Sequence, residues 1–368
     1  MRLERVGRNE IKMAFYQSYR CVNNHLFTPQ HRDSSFTDAF IEYVIYIYLR
    51  SLSLNTTIQI IRAQFEKNFL SKGTLLELAE RVADRLPTLT DIDNLFHPRR
   101  SGYLAFDGVY FKLKGVSFVI LFCFDPETFD IVGYRMAAEE TYEGYRDLSF
   151  EVYQALERQK TPVTGLYLDG EKGLVKALNE VFPSVPKQLC LVHKYLRMGQ
   201  VIPFKSVNRK GVFYLRKKKI LKFKRLFEET IFAKDKKASL EKFEELRYFA
   251  DAHGIEKFHQ GYRILKNNFK LTLTHFDQPH MNRDNNLIEC FNSIISRKLD
   301  LMKGFKKETN IDRYLKLILL DYRFHQLTES RIPYRRDQSP LELARVHLPE
   351  YYNFIKMLRS SLNLTFEN

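Results

Sequence analysis

Residues 162–194 constrain the fold more than any other stretch, because they alternate a short apolar strand, a helix and a second apolar strand. Residues 163–168 are β-rich and apolar and are followed by Asp169 and a glycine, which predicts a buried strand with a carboxylate at its carboxyl end. Apolar residues then recur at helical spacing over 171–181, two prolines end the helix, and residues 188–192 are apolar again. The stretch therefore predicts a strand, a helix and a strand.

The chain before this stretch extends the same domain. Residues 103–136 contain apolar runs separated by glycines and by the turn 125–127, which predicts a three-stranded antiparallel meander. The first of these strands is expected to end at Asp107, again followed by glycine, as the later strand ends at Asp169. An amphipathic helix over 143–158 leads into that later strand. The order predicts an α/β domain over 101–194, with a mixed sheet covered by helices.

The N-terminal part has a different texture. Residues 1–35 predict an irregular basic segment, and residues 36–90 predict three short helices over 36–52, 55–65 and 74–86. Ser53 or Asn55 is the expected N-cap of the second helix. The third helix is expected to open with a capping box formed by Thr74 and Glu77. Tight turns between the helices favour a helix-turn-helix-like DNA-binding domain, and the alternative is a small bundle that packs on its neighbour.

The cysteines and the apolar runs indicate the cellular compartment in which the chain is expected. Four widely separated cysteines, Cys21, Cys123, Cys190 and Cys290, show no paired framework, which suits free thiols in a reducing compartment. Cys21 and His25 resemble half of a zinc site, but no second pair completes four ligands. The N-terminus is charged, and no apolar run approaches the ~18 residues of a membrane helix, so we expect an intracellular protein without membrane contact.

Basic residues outnumber acidic ones by 59 to 44, which leaves a net charge of +15 that is unevenly distributed. Residues 181–227 contain thirteen Lys and Arg residues and no Asp or Glu, with aromatic residues interleaved. Such a run is usually a solvated surface, but the complete absence of acids favours a surface that contacts DNA phosphates. The residues predicted to bind DNA are Arg197, Lys205, Arg209, Lys210, Arg216, Lys217, Lys218, Lys219, Lys222, Lys224 and Arg225.

The α/β texture stops after residue 194 and resumes late in the chain. Residues 195–283 predict a basic helical insertion, 284–345 the second part of the α/β domain, and 346–368 a C-terminal tail. The helix after residue 285 is expected to bury an apolar stripe formed by Leu287, Phe291, Ile294 and Leu299. Asn286, Glu289, Asn292 and Ser293 are expected on its opposite, polar side.

Three carboxylates stand in positions that suit metal-dependent chemistry: Asp107 and Asp169 at strand ends, and Glu289 on the polar side of a helix. Any one of them alone is more often a turn or cap residue. Together they match what phosphodiester cleavage by two divalent ions needs, namely acidic oxygens that bridge and flank ions about 3.5–4 Å apart. The sequence therefore predicts a two-metal site built from these three residues.

Four motifs in order resemble the DDE transposases of the Mutator-like superfamily and its prokaryotic insertion-sequence relatives, over about residues 36–345. The first acid is matched by Asp107 in YLAFDGVYFK and the second by Asp169 in GLYLDGEKGLVKAL, 62 residues later. A Cys-x-x-His motif follows, with Cys190 and His193 in QLCLVHKYLR. Glu289 in DNNLIECFNSIISRK, 120 residues past Asp169, matches the closing glutamate, and SPLELA resembles the tail of such proteins.

The resemblance implies an RNase H-like catalytic domain with a helical insertion, and a transposase that binds element ends, cuts one strand with metal-activated water and joins the 3′-hydroxyl to target DNA. Asp107, Asp169 and Glu289 would hold two Mg²⁺ or Mn²⁺ ions, and Asn286 and Asn292 would position water or the DNA backbone. The expected partners are double-stranded DNA and further copies of the chain, as a dimer or higher oligomer. The expected location is the prokaryotic cytoplasm with its nucleoid, or a eukaryotic nucleus.

Two other functions remain open at this stage. One is a domesticated copy that binds DNA as a regulator without catalysis, although the presence of all three acids argues against it. The other is a related nuclease that cleaves DNA without strand transfer.

The Cys-x-x-His motif and the N-terminal pair have alternatives of their own. Cys190 and His193 could form half of a zinc site or a thiol nucleophile, but no second pair, base or oxyanion hole is evident. We favour a structural role, with the cysteine buried beneath the sheet and the histidine close to the acids. Cys21 and His25 resemble the remnant of a fuller finger, which suggests a trimmed copy or one that recognises ends through its helices alone.

Overall fold

The structure is a computed structural model of the 368-residue chain. It describes residues 4–11, 14–20, 26–27, 36–51, 53–65, 70–202, 204, 214–301, 308–328, 330, 332–351 and 353–366. The chain divides into two compact units. Unit 1 comprises Met1–Arg99, Tyr110–Phe118 and Ser293–Asn368, and unit 2 comprises Arg100–Val109 and Val119–Asn292.

The described strands are β1 Glu4–Ile11, β2 Ala14–Arg20, β3 Leu26–Phe27, β4 Tyr103–Leu113, β5 Val116–Asp125, β6 Asp130–Ala137, β7 Gly165–Leu168 and β8 Lys187–Leu189. The described helices up to residue 266 are α1 Asp38–Ser51, α2 Leu54–Phe65, α3 Lys72–Arg85, α4 Leu89–Phe96, α5 Tyr142–Arg158, α6 Lys172–Val181, α7 Leu191–Val201, α8 Tyr214–Ile231, α9 Lys236–His253 and α10 Glu256–Lys266. They continue with α11 Thr274–Asp277, α12 Asn286–Leu301, α13 Glu308–Phe324, α14 Pro340–Leu343 and α15 Phe354–Leu362, and 3₁₀ turns span Phe269–Thr272 and Pro333–Arg335.

Unit 1 begins with a small antiparallel sheet in the order β1, β2, β3. The expectation that residues 1–35 are irregular is therefore wrong for these strands. Charged residues such as Arg5, Arg8 and Glu10 interrupt the apolar alternation by which a strand is recognised in sequence. Cys21 and His25, the half zinc site considered above, lie outside the described residues.

The three N-terminal helices lie where the sequence predicts them, as α1, α2 and α3. Ser53 caps α2, because its hydroxyl accepts the Thr56 N–H at 3.1 Å. The capping box predicted at Thr74 is wrong, since α3 starts earlier and its cap is Ser71, which accepts the Thr74 N–H at 3.0 Å. Each cap satisfies one of the backbone donors that the start of a helix leaves open.

These helices do not stand alone, because α13 packs against α1, α3 and α4. Arg323 of α13 is buried and donates to Asp93 of α4 at 2.7 Å, and Arg313 bonds Asp84 of α3 at 2.7 Å. The sequence assigns residues 284–345 to one α/β domain, whereas the structure groups residues from 293 onward with the N-terminal helices. The apolar periodicity of α13 predicts a helix but not which surface it packs against.

Unit 2 contains most of a five-stranded mixed α/β sheet in the order β6, β5, β4, β7, β8. β5 and β6 are antiparallel, whereas β4 is parallel to β7 and β7 is parallel to β8. Residues of α5 and α6 share one hydrophobic cluster with the strands. Phe291 of α12 packs on Phe122 and Phe124 of β5, with ring centroids 5.0 and 5.1 Å apart. The sheet is thus covered by helices, as the sequence predicts.

β4 continues through Gly108, so Asp107 lies inside a strand and the expected strand end at this position is wrong. Gly108 does not serve a turn. A Cβ there would lie 2.5 Å from Glu140 Oε1 and 2.9 Å from Val119 Cγ2, so glycine allows these side chains to approach the backbone. A sequence does not distinguish a glycine needed for space from one needed for a turn.

The insertion is helical where it is described, as predicted. Its helices α8, α9 and α10, together with the end of α7, enclose a separate hydrophobic cluster that includes Met198, Phe223, Phe227 and Phe258. None of the described helices is long and apolar enough to cross a membrane.

Candidate active site

Asp107 and Asp169 lie side by side because of the register between β4 and β7. The two strands are parallel, and Ala105 is paired with Tyr167. Continuing that register by two residues brings Asp107 opposite Asp169, which follows the last residue of β7. The adjacent parallel strands β4 and β7 thus bring the two carboxylates together at the C-terminal end of β7.

The turn after β7 fixes the Asp169 carboxylate. Its Oδ1 accepts the Glu171 backbone N–H at 2.8 Å as the chain enters α6. Gly170 has φ +88°, and a Cβ at this position would lie 2.7 Å from Leu189 Cδ1. Glycine therefore satisfies both the backbone conformation and the close approach of β8.

A strap over residues 278–285 brings α12 to the same edge. The Asn282 N–H donates to the Tyr167 hydroxyl at 3.0 Å, and the Leu191 N–H donates to the Arg283 carbonyl at 3.1 Å. The Asn285 N–H then bonds Cys190 Sγ at 3.4 Å, immediately before α12 starts. These bonds attach the N-terminal end of α12, which carries Glu289, to the ends of β7 and β8.

Two cationic side chains of α7, one helical turn apart, face the acids. His193 Nε2 is 3.1 Å from Glu289 Oε1. Arg197 donates through Nη2 to Asp169 Oδ2 and through Nη1 to the Gly170 carbonyl, both at 3.1 Å. A single helix therefore supplies a positive partner to two of the three predicted catalytic acids.

The other side of α7 is fixed by the insertion. The buried ammonium group of Lys194 donates to the carbonyl oxygens of Ile264 and Asn267 at 2.7 and 2.6 Å, near the C-terminal end of α10. Met198 is fully buried. A Cβ on Gly261 of α10 would lie 2.8 Å from Met198 Sδ, which indicates how closely the two helices pack. The packing of the insertion therefore determines where the two α7 cations point.

Asp107 is held from both of its oxygens. Oδ1 accepts the Gly108 N–H and Oδ2 accepts Asn292 Nδ2, each at 2.8 Å. Burial raises the pKa of Asp107 to about 7, and the charges of Glu289 and Asp169 add to the rise, while the Gly108 N–H opposes it. The three acids are therefore close enough for their charges to interact.

The environment of His193 favours its charged form. Interaction with the Cys190 side chain and with the Glu289 carboxylate raises the pKa of His193 to about 10, against the effect of burial. Cys190 itself is buried, with 2% of its surface exposed. At neutral pH His193 therefore carries a positive charge beside Glu289.

Asn292 is buried, although the sequence predicts it on the polar side of α12, opposite the apolar stripe. The most buried apolar positions of the helix are Ile288, Phe291, Ile295 and Leu299, so the buried face is turned relative to the prediction. Asn292 sits one turn after Glu289 and within this face. Its Oδ1 is buried and accepts no hydrogen bond from any residue that the structure describes. An oxygen of this kind indicates a place for a ligand or water.

The acids do not form a ready-made metal shell. Among the residues that the structure describes, no three His, Cys, Asp or Glu side chains lie close enough together to hold a metal ion. Each acid instead contacts another side chain of the protein: Asp107 contacts Asn292, Asp169 contacts Arg197 and Glu289 contacts His193. The available donors still suit a hard cation, because they are carboxylate oxygens and the unpartnered amide oxygen of Asn292.

The basic window of residues 181–227 separates into buried and exposed parts. Lys187 and Lys194 are buried and bond backbone carbonyl oxygens. On α8, Lys218, Lys222 and Arg225 are exposed along one face. Lys217 and Lys219 are half-buried, and Lys224 and Arg225 form salt bridges with Glu228 and Glu229 one turn later. Lys205, Arg209, Lys210 and the Arg216 side chain lie outside the described residues.

Comparison with known families identifies the family to which the chain belongs. The sequence model of the transposases of the Mutator family matches residues 23–327. The chain belongs to the Mutator family of transposases. The match includes both strand acids, the Cys-x-x-His motif and the glutamate of α12, so the resemblance drawn from the sequence is confirmed.

Relatives of this Mutator family chain include the transposase for insertion sequence element IS905 of Lactococcus lactis subsp. lactis (strain IL1403). The two are 23% identical over 328 residues, which cover 82% of this chain and 76% of that protein. The solved Drosophila P element transposase strand transfer complex covers 89% of this chain and 93% of its own at 12% identity, with a TM-score of 0.32.

Two features of the site in this Mutator family chain go beyond the sequence prediction. The sequence assigns Arg197 to the DNA-binding set, whereas the structure places it on Asp169. Its spacing of four residues from His193 within one helix is the signal that would have associated it with the acids. The Tyr145 hydroxyl donates to Glu140 Oε2 at 3.1 Å. Burial raises the pKa of Tyr145, and the charges of Asp107 and Asp169 raise it further. Glu140 and Tyr145 therefore lie beside the site, and no spacing in the sequence connects them with it.

Proposed function

We propose that this chain is a DDE transposase that binds the ends of its element and catalyses metal-dependent DNA strand cleavage and strand transfer. The observation that carries the proposal is the convergence of Asp107, Asp169 and Glu289, whose charges interact at one edge of the sheet. Strand β4, the turn that follows β7 and helix α12 supply one acid each. Membership of the Mutator family supports the same assignment.

The protein groups around the acids would prepare them for this chemistry. The Gly108 N–H and Asn292 orient the Asp107 carboxylate, and the Glu171 N–H orients that of Asp169. His193, with Nε2 3.1 Å from Glu289 Oε1, would orient the Glu289 carboxylate. Asn292 Oδ1 would accept a hydrogen bond from water at the reaction site.

Asp107, Asp169 and Glu289 would hold two Mg²⁺ or Mn²⁺ ions, because carboxylate oxygens are the ligands that such hard cations prefer. When bound, such ions would activate the attacking oxygen and stabilise the leaving oxygen of a phosphodiester. The positive charge of the ions would also offset the mutual repulsion of Asp107, Asp169 and Glu289, which adds to the effect of burial on the pKa of Asp107.

The finer architecture belongs to the same proposal. The sheet has three strands joined in sequence, then two parallel strands reached through helices, which is the order expected of an RNase H-like domain. The helices α1–α3 would act as a helix-turn-helix-like module that recognises element ends. DNA is the expected partner, and the joining of two ends favours a dimer or higher oligomer.

The exposed face of α8 would hold DNA by contacts to phosphates. Lys218, Lys222 and Arg225 lie on this face, opposite the buried Phe223 and Phe227. Because such contacts release counterions, the affinity should fall steeply as salt increases.

Replacing Lys218, Lys222 and Arg225 together by glutamine should weaken binding to any duplex sequence. We expect the slope of log affinity against log salt to become shallower by about 2–3, since each lost phosphate contact accounts for ~0.9. Fluorescence anisotropy at several salt concentrations measures this slope. The control replaces Lys237, Lys257 and Lys266 by glutamine, which removes the same charge from α9 and α10. Equal slopes for the two triple variants would contradict a specific role for α8.

Metal removal tests the catalytic part of the proposal. Duplexes that carry the element's terminal inverted repeats should be nicked and joined to target DNA with Mg²⁺ or Mn²⁺, and neither product should form with chelator alone. Denaturing gels resolve the nicked and joined products. Restored activity after the metal is returned would exclude irreversible unfolding. Binding to the ends without any cleavage would support a regulator, and cleavage without joining would support a nuclease.

A further inference from the structure

The contact between Arg197 and Asp169 occupies one of the two carboxylate oxygens to which a metal ion would bind. Asp169 Oδ1 already accepts the Glu171 backbone N–H, whereas Oδ2 accepts Arg197 Nη2 at 3.1 Å. The other arm of the guanidinium is fixed by the Gly170 carbonyl. The Arg197 guanidinium therefore lies against the Asp169 carboxylate. A cation that binds Oδ2 would have to compete with it.

The pair has the properties of an exchangeable contact. The Arg197 side chain is 41% exposed, and Asp169 is 16% exposed. A part-exposed pair of this kind is weak, because water screens the attraction and both charges are readily solvated. A divalent ion carries twice the charge and binds oxygen directly, so it would displace the guanidinium from Oδ2.

The backbone of Arg197 would stay in place when this contact breaks. Met198 is fully buried in the insertion, and Lys194 is anchored to carbonyl oxygens near the end of α10. A released guanidinium would therefore remain within the reach of its own side chain from Asp169. Its planar fork of N–H donors matches the oxygens of a phosphate better than an ammonium group does.

We propose that Arg197 is a displaceable counter-ion of the catalytic site, which neutralises Asp169 before metal binds and contacts a DNA phosphate once metal has displaced it. The inference rests on the proposed metal-dependent function and adds an order of events to it. The chain without metal keeps its acids compensated by α7. The loaded chain gains a phosphate ligand next to the acids.

A metal titration without DNA tests the first half. Arg197→Gln should bind Mn²⁺ about three- to tenfold more tightly than the wild type, because the competing cation is gone. Electron paramagnetic resonance of free Mn²⁺ measures this affinity on the full chain. Arg263→Gln is the matched control, since it removes the same charge from an exposed arginine on α10 that pairs with Glu256. The control should match the wild type. Unchanged or weaker Mn²⁺ binding by Arg197→Gln would overturn the proposal.

A thermal readout checks the same competition independently of catalysis. Without metal, Arg197→Gln should melt below the wild type because Asp169 lacks its partner. Mn²⁺ should raise the melting temperature of the variant more than that of the wild type, since at one metal concentration a more tightly bound ligand stabilises the folded chain more. An equal increase in both proteins would count against displacement.

The second half is tested by binding uncleaved end DNA with and without Ca²⁺, which occupies oxygen sites. Arg197→Gln should bind DNA about three- to tenfold more weakly than the wild type with Ca²⁺, and equally well without it. Arg197→Lys should recover part of the loss, because it keeps the charge but not the fork. A loss of the same size in both conditions would overturn the phosphate role.

Asp169→Asn separates this inference from the proposed function. If Asp169→Asn loses Mn²⁺ binding while Arg197→Gln behaves as the wild type, the metal site stands and the counter-ion role is wrong. If the wild type binds no Mn²⁺, the proposed metal site fails, and the inference about Arg197 fails with it.

Discussion

Asp169→Asn should lower DNA strand cleavage by at least about 10³-fold while leaving the affinity for end DNA intact or slightly higher. The amide keeps the size of the carboxylate but removes its charge, so it would hold a cation poorly. Asp107→Asn and Glu289→Gln should have losses of similar order, because the three acids act as one unit whose effects do not add. Denaturing gels give the cleavage rates, and anisotropy gives the affinity for DNA.

An exposed acid of the same unit gives the matched control for these variants. Asp277 is 56% exposed and pairs with Lys236 on the surface. Asp277→Asn makes the same chemical change away from the site, and it should cleave like the wild type. Cleavage that survives Asp169→Asn would show that the catalytic acids have been assigned incorrectly. A melting temperature well below that of Asp277→Asn would instead indicate that the loss of cleavage follows from unfolding.

The strand acids could be predicted because their signals are local. A short β-rich run that ends on an acid predicts a carboxylate at the edge of a sheet, and two such runs on neighbouring parallel strands meet there. The structure agrees for Asp169, which follows β7 directly. For Asp107 the prediction of a strand end is wrong, although β4 still places the residue beside Asp169. Here the register, rather than the end of the strand, determines the position.

The groups that surround the acids could not be predicted, because they depend on contacts between distant segments. Asn292 reaches Asp107 across 185 residues of sequence, and Arg197 reaches Asp169 only because α7 packs on the insertion. The predicted polar side of α12 differs from the observed one at Asn292. Periodicity assigns helix faces by polarity, so it groups Asn292 with the polar residues opposite the apolar stripe, whereas the residue is buried. A buried polar residue with a specific partner breaks that rule at a functional site.

Packing between helices far apart in the chain is also absent from local patterns. The sequence assigns helix α13 to the α/β domain, together with α12, which precedes it in the chain. In the structure, Arg323 and Arg313 of α13 pair with acids on α4 and α3. These acids resemble ordinary surface charges in the sequence. Their role becomes apparent only when their partners are known.

Asp130→Asn should lower the free energy of unfolding of unit 2 by about 3–5 kcal/mol, because it removes a carboxylate charge that pairs with a buried guanidinium. Arg100 donates to Asp130 at 3.1 Å, and both side chains are completely buried. Arg100 also donates to the Ile131 carbonyl and to Gln159 Oε1, each at 3.1 Å, which links the start of β6 to the end of α5. Hydrogen exchange at the amides of β5 and β6 reports this unit separately from the rest of the chain.

The matched control is Glu151→Gln, since Glu151 pairs with Arg135 at 2.6 Å on the surface and is 54% exposed. Water screens that pair, so its loss should cost about 0–1 kcal/mol. If Asp130→Asn costs no more than the control, the buried pair does not hold the sheet together. If the free-energy loss of Asp130→Asn is several times larger, the position of Asp107 should also be disturbed, because Arg100 lies just before β4, the strand that contains Asp107. Cleavage by Asp130→Asn should then fall at a lower temperature than cleavage by the wild type, in parallel with the exchange at β5 and β6.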